Sequence, residues 1–219
     1  TGQYDHVIVV GCDIISDFVL YGFQSLFAIS EQPCRPFDAD RNGITLGEGC
    51  AAVVVSNNKA IFENAPLQLL AGASANDANH ISGPSRTGEG LFRAVTKTLI
   101  RNKIDLSQID FINAHGTATK FNDEMEAIAF NRLGLGDKPV NSLKGYFGHT
   151  LGAAGIMETV VSMQMLHKNV LLKSLGYEHH GTSQALNVIT QNKSYPNNCF
   201  LKTASGFGGG NAALIIQKI

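Results

Sequence analysis

Ile109-Asp110-Phe111-Ile112-Asn113-Ala114-His115-Gly116-Thr117-Ala118-Thr119 decides how this chain is read. The largely apolar residues 109–112 read as a short buried strand. That strand runs into a histidine, and Gly116 lets the backbone turn at once. Two threonine hydroxyls then stand beside the imidazole. A second stretch repeats the device: Asn141-Ser142-Leu143-Lys144-Gly145-Tyr146-Phe147-Gly148-His149-Thr150-Leu151-Gly152-Ala153-Ala154-Gly155. Again a strand leads to a histidine beside glycine, and a helix follows. Reacting groups of α/β proteins collect at the C-terminal edges of strands. Two histidines so placed, with Lys144 a little before the second, read as one active site.

Outward from these stretches, the pattern alternates. Residues 7–11 and 50–55 read as buried strands. Between them, Ser16 or Asp17 caps a helix running to about Ile29, Pro33 and Pro36 stop it, and residues 34–43 form a charged turn. A polar link at 57–66 divides the chain into segments 1–60 and 61–219. The second segment opens with an apolar run at 67–72, then a loop holding Asn76, Asp77, His80 and Pro84. An amphipathic helix is predicted over 90–102. After the His115 strand comes a helix capped by Asn122 or Asp123 and ended by Gly134. A strand at 139–143, a long apolar helix at 152–168 and short strands at 186–189 and 200–203 follow. A glycine turn at 206–211 leads to a closing strand at 212–219. Strands alternating with helices predict an α/β fold with a mixed sheet and βαβ crossovers. The last two strands form an antiparallel pair added to that sheet. The opening pattern resembles the end of another such unit, so the chain reads as part of a duplicated, layered architecture.

Composition excludes several classes. Among 219 residues, 44% are hydrophobic and 16% charged, with a net charge of −1. That balance gives no electrostatic footprint for nucleic acid or a membrane surface. No apolar run reaches the roughly 18 residues of a membrane span, and the opening residues do not read as a signal peptide. Four cysteines without CxxC pairing predict reduced thiols and a cytoplasmic setting. No histidine pair sits at helical spacing with a third ligand, so no metal site is expected.

The chemistry starts from the imidazoles. Neutral His115 and His149 can donate N–H to a carbonyl oxygen and stabilise an enolate as charge develops there. Lys144 adds positive charge or orients a carboxylate. Glu126 and Glu158 each lie on the helix after a histidine turn, and one of them can pair with Lys144. The loop Gly206-Phe207-Gly208-Gly209-Gly210-Asn211 either presents backbone N–H groups as an oxyanion hole or is a plain hairpin turn. None of the cysteines has the setting of a nucleophile: Asp13 beside Cys12 opposes thiolate formation.

Taken together, the His115 motif, the stretch from Lys144 to Gly155 and the loop from Gly206 to Asn211 resemble the β-ketoacyl-acyl-carrier-protein synthase family. So does Arg35-Pro36-Phe37-Asp38-Ala39-Asp40-Arg41-Asn42-Gly43-Ile44-Thr45-Leu46-Gly47-Glu48-Gly49. The resemblance implies a thiolase-like fold of two similar halves in α-β-α-β-α layers. Residues 1–60 would end the N-terminal half, and 61–219 would form the C-terminal half. It implies decarboxylative Claisen condensation of a malonyl group carried on acyl carrier protein with an acyl thioester. By motif position His115 and His149 stabilise the enolate, with Lys144 in support and Glu126 as its partner. Phe207 gates the site, with Phe207 and Gly208 at the oxyanion hole. Thr117 and Thr119 line the channel for the phosphopantetheine arm, which the carrier protein brings, so no cofactor of the chain's own is implied. A homodimer, or a partner chain supplying the rest of the family's length, is expected. The family's nucleophile stretch, of Ala-Cys-Ser type, has no counterpart here. A non-catalytic chain-length-factor partner is the alternative, and the intact histidines favour the enzyme. Apolar surface is expected where the absent half would pack.

Overall fold

The computed structural model describes residues 2–63, 65–77 and 79–219. It begins with β1 (His6–Asp13) and α1 (Asp17–Ser25), and β1 pairs antiparallel with β2 (Gly49–Ser56). Ser16 caps α1 by accepting from the Val19 N–H, as its sequence predicts. The helix ends before Ile29, because Phe27 turns into the left-handed region at φ 52 and Ile29 pairs as an isolated bridge with Ile44.

The remainder builds a mixed sheet with helices on both faces, beside a separate two-stranded ribbon. In chain order come β3 (Leu67–Leu69), β4 (Ala73–Asn76), α2 (Glu89–Asn102), β5 (Phe111–Asn113), α3 (Lys120–Arg132) and β6 (Val140–Asn141). Then follow α4 (Lys144–Phe147), α5 (Ala154–Lys168), β7 (Val170–Leu171), β8 (Lys193–Ser194), β9 (Cys199–Ser205) and β10 (Gly210–Lys218). The strand order is β3-β10-β9-β5-β6, with β4 also on β10. β9, β5 and β6 run parallel, while β10 is antiparallel to β9, β3 and β4. The closing pair is therefore the predicted antiparallel addition, and β5–α3–β6 is the predicted crossover. The α/β architecture expected from the alternation is present.

Strand periodicity splits the core in two. Ile112, Leu201 and Ile215 point to the face covered by α2 and α3, where Leu91, Ala94, Val95 and Phe130 pack. Their sequence neighbours Phe111, Phe200 and Ile216 point to the other face, against Met165 and Leu166 of α5. β5 is buried on both faces, which is why it reads as continuously apolar.

Four expectations need correction. Residues 73–76, taken as loop, form β4, because the edge of β10 supplies hydrogen bonds that the sequence Ala-Ser-Ala-Asn does not advertise. Residues 186–189 make only one bridge, Val140 to Val188, since the Val188 N–H folds back onto the Leu186 carbonyl. The cap of α3 is Thr119, not Asn122 or Asp123; the Thr119 hydroxyl accepts from the Asn122 N–H, while the Asp123 carboxylate is drawn to the Phe37 and Ala118 N–H groups. The helix over 152–168 begins as a 3-10 turn, Leu151–Ala153.

Much of the charged stretch 34–43 is buried, Asp38 and Arg41 included, and it stitches the first segment to the second. Phe37 sits in the α2–α3 core. Asp38 bridges to His180 and Leu46 bridges to His149. Arg41 donates to the carbonyls of Asp38, Gly181 and Lys120. At Gly47 the approach is so close that a Cβ would lie 1.9 Å from the Phe147 carbonyl oxygen.

Candidate active site

His115 stands just beyond β5, and His149 follows the single turn of α4. The fold brings them together edge to face, with ring centroids 5.1 Å apart. The turn at Gly116 has φ 45, and a Cβ there would meet the Ser142 Cβ at 2.4 Å. Only glycine fits this approach. Both imidazoles line a cleft of about 920 Å3, which Thr117, Thr119, Phe23 and Phe207 also line.

The tautomers follow from the partners. His149 Nδ1 faces the Leu151 N–H at 3.1 Å, and His115 Nδ1 faces the Lys144 ammonium at 3.3 Å. A backbone N–H and an ammonium can only donate, so both Nδ1 atoms accept and each ring carries its proton on Nε2. Burial, followed by the Lys144 ammonium, holds both imidazoles well below the ordinary histidine range. Two neutral N–H donors therefore face one cleft.

Lys144 is wholly buried. Its ammonium donates to the Glu158 carboxylate at 2.6 Å and to the His115 carbonyl at 2.5 Å. Burial pushes Glu158 up, but the Lys144 and Lys202 ammoniums outweigh it and hold the carboxyl below its usual range. Glu126 is not the partner of Lys144. From α3 it reaches behind the histidine loop and accepts from the N–H groups of His115 and Gly116, at 2.8 and 2.6 Å. Burial, with Asp123 next to it, pushes Glu126 up to about 7. Glu126 thus shapes the loop, and Glu158 anchors the lysine.

The threonines sit together, their hydroxyl oxygens 2.9 Å apart. Phe207 is half exposed and stacks on Phe23 of α1, centroids 5.5 Å apart. The Gly208 N–H donates to the Ile81 carbonyl at 2.6 Å, so it is committed, and the expectation that Gly208 serves an oxyanion is corrected. None of the cysteines lines the cleft. Burial pushes the thiols of Cys34 and Cys199 up to about 12.

Sequence reasoning missed Lys202, whose ammonium holds the other Glu158 oxygen at 2.6 Å. The signal was a lysine inside the apolar run Phe200-Leu201-Lys202-Thr203-Ala204. It also read Asp123 only as a helix cap; that carboxylate is buried against Arg41, 3.7 Å away.

Comparison with known proteins agrees with this geometry. The C-terminal domain model of β-ketoacyl synthases matches residues 68–178, and the N-terminal domain model matches residues 1–60. The chain belongs to the β-ketoacyl synthase family. It is 33% identical to 3-oxoacyl-[acyl-carrier-protein] synthase 2 of Rhizobium meliloti, over 99% of this chain and 55% of that protein. A β-ketoacyl synthase crystal structure from Burkholderia phymatum superposes with a TM-score of 0.94 at 29% identity, covering 100% of this chain and 56% of that one. The complex of the ketosynthase ApeO with its chain length factor ApeC, from Xenorhabdus doucetiae, matches with a TM-score of 0.90 at 33% identity, over 100% of this chain and 54% of that one. The chain spans about half the length of the curated relatives it matches. These likenesses carry the thiolase-like ketosynthase fold. No helix among the described residues is long and apolar enough to cross a membrane.

Proposed function

We propose that this chain forms the condensing part of a β-ketoacyl-acyl-carrier-protein synthase. The observation that carries the reading is the pair of Nε2–H imidazoles side by side in one cleft, each fixed through Nδ1. In the reaction the malonyl thioester breaks its bond to the free carboxylate, carbon dioxide leaves, and the electron pair becomes a thioester enolate. His115 and His149 donate to the enolate oxygen, where charge has just developed. The enolate carbon then attacks the carbonyl of an acyl thioester held on a cysteine from the part of the family's length absent here. The Phe207 N–H meets the resulting oxyanion. The cysteine thiolate leaves, and a 3-oxoacyl thioester remains on the carrier.

Thr117 and Thr119 line the path of the phosphopantetheine arm, and Phe207, resting on Phe23, gates it. Lys144 and Glu158 position His115. Glu126 fixes the loop. Residues 1–60 close the N-terminal half and 61–219 form the C-terminal half. An acyl carrier protein as partner, a homodimer as the working unit and a cytoplasmic setting belong to the same reading.

The test uses the complete native protein with malonyl- and acyl-carrier protein, reading carbon dioxide release and the mass of the product. A 3-oxoacyl product that disappears in His115→Ala and His149→Ala supports the reading. Absence of product from the protein alone, with turnover restored by a separate ketosynthase, would establish the chain-length-factor alternative instead.

A further inference from the structure

Lys202 is a buried charge beside this site to which no role has been given so far. It lies on β9, in register with Asn113 of β5, and is 3% exposed. Its ammonium donates to Glu158 Oε2 at 2.6 Å and to the Thr203 carbonyl at 2.8 Å. Lys144 holds Glu158 Oε1, also at 2.6 Å. One carboxylate therefore sits between two ammoniums. Lys144 and Glu158 alone would already balance in charge. A second ammonium leaves positive charge uncompensated in the interior, which stability alone disfavours.

We infer that Lys202 is a positioning residue of this site, pinning Glu158 from the far side so that Lys144 is aimed at His115 and positive charge is kept beside the two imidazoles. The inference rests on the ketosynthase reading for its chemical purpose, though not for its geometry. The bonds run in series, from Lys202 through Glu158 and Lys144 to the Nδ1 and carbonyl of His115. With both oxygens held, the Glu158 carboxylate cannot rotate away. The charges acting on the rings are Lys144 from α4 and Lys202 from β9, with Glu158 from α5 held between the two lysines and Glu126 and Asp123 from α3 behind the loop. Glu126, whose carboxyl burial and the neighbouring Asp123 push up, lies behind the loop with both oxygens taken by the His115 and Gly116 N–H groups. Positive charge here opposes imidazolium and favours an enolate oxygen, the two conditions that a hydrogen-bond donor to an enolate requires.

The experiment is an imidazole NMR titration of His115 and His149 in the complete native protein and in Lys202→Met, beside the pH profile of malonyl decarboxylation. Methionine keeps the unbranched chain to Cε, removes the ammonium and leaves Lys144 and Glu158 themselves unchanged. The expected result is a rise of both imidazole midpoints by on the order of one pH unit. The acid limb of the decarboxylation rate should move up with them, with KM little changed. Unmoved midpoints and an unmoved profile in a folded variant would overturn the inference and leave Lys202 a structural residue. If Lys202→Met does not fold, the side-chain 15N signal of Lys202 in the unmodified protein decides: an ammonium at pH 7 supports the inference, a neutral amine overturns it. The titration needs no turnover. Midpoints that move in a protein making no 3-oxoacyl product would keep this inference and sink the ketosynthase reading; product formation with fixed midpoints would do the reverse.

Discussion

The sheet of β3, β10, β9, β5 and β6 and the ribbon of β1 and β2 are written in the same apolar residues, yet they meet opposite fates. Phe111, Ile112, Phe200 and Leu201 are wholly buried. Ile8 and Val10 of β1 are 69% and 61% exposed, and α1 buries no residue at all. The difference does not lie in propensity, since β-branched residues fill β1 and β2 and both strands form. It lies in cover: α2, α3 and α5 close both faces of the sheet, while much of the apolar face of the ribbon and of α1 is left uncovered by the described residues. Hydrophobic patterning specifies that a face wants burial, and the rest of the fold decides whether it gets it.

The sharpest way to break that comparison is a pair of truncations. Phe130→Ala, in the α2–α3 core, should cost about 3–5 kcal/mol in urea unfolding. Phe18→Ala on α1, at a position 88% exposed, should stay within about 0.5 kcal/mol. Equal costs in the complete native protein would mean that α1 is covered there. Next in size, His149→Ala should slow malonyl decarboxylation on the order of a hundredfold or more, because the proposed function makes it one of two enolate donors. A tenfold effect or less would take His149 out of the chemistry.

The pH response follows from the depressed imidazoles. Both stay neutral as pH falls through 6.5, the ordinary histidine value, so decarboxylation should hold its rate there and decline only at lower pH. The same groups protonate in the unfolded chain, so their contribution to stability is full above pH 6.5 and is lost as pH falls below it. A rate already halved at pH 6.5 would contradict the buried, neutral pair. The smallest effects are the two helix caps. Ser16→Ala and Thr119→Ala each remove a hydroxyl that accepts an N–H, worth about 1 kcal/mol. Hydrogen exchange should show the first as local fraying of α1 and the second as a loss spread over the whole sheet unit. Uniform protection loss in both would erase the contrast between the regions.

Much of this was legible because it was local. The strand into His115, the glycine that turns it, the amphipathic stripe of α2 and the antiparallel closing pair all announce themselves within a dozen residues. The contacts that were not legible are long-range. β4 exists because β10 offers it an edge. Lys144 pairs with Glu158 of α5 while Glu126 of α3 is taken by the His115 and Gly116 N–H groups, and Lys202 meets a carboxylate 44 residues earlier in the chain. The stretch 34–43 reads from its sequence only as a charged turn, and nothing within it names the partners that bury Asp38 and Arg41. Asp38 and Arg41 are buried with backbone groups from residues far along the chain.

That stitching has a consequence for how the molecule comes apart. Lys59 is exposed, in the short turn Lys59–Ile61. A tryptic nick there would sever the backbone between the two segments without freeing either. Phe37 is lodged among α2 and α3, the backbone at Gly47 lies against Phe147, and the bridges at Asp38 and Leu46 are indifferent to the cut. The nicked protein should travel as one species on a sizing column and fall into two bands only when denatured. Its two pieces would behave as clasped hands rather than as beads on a string.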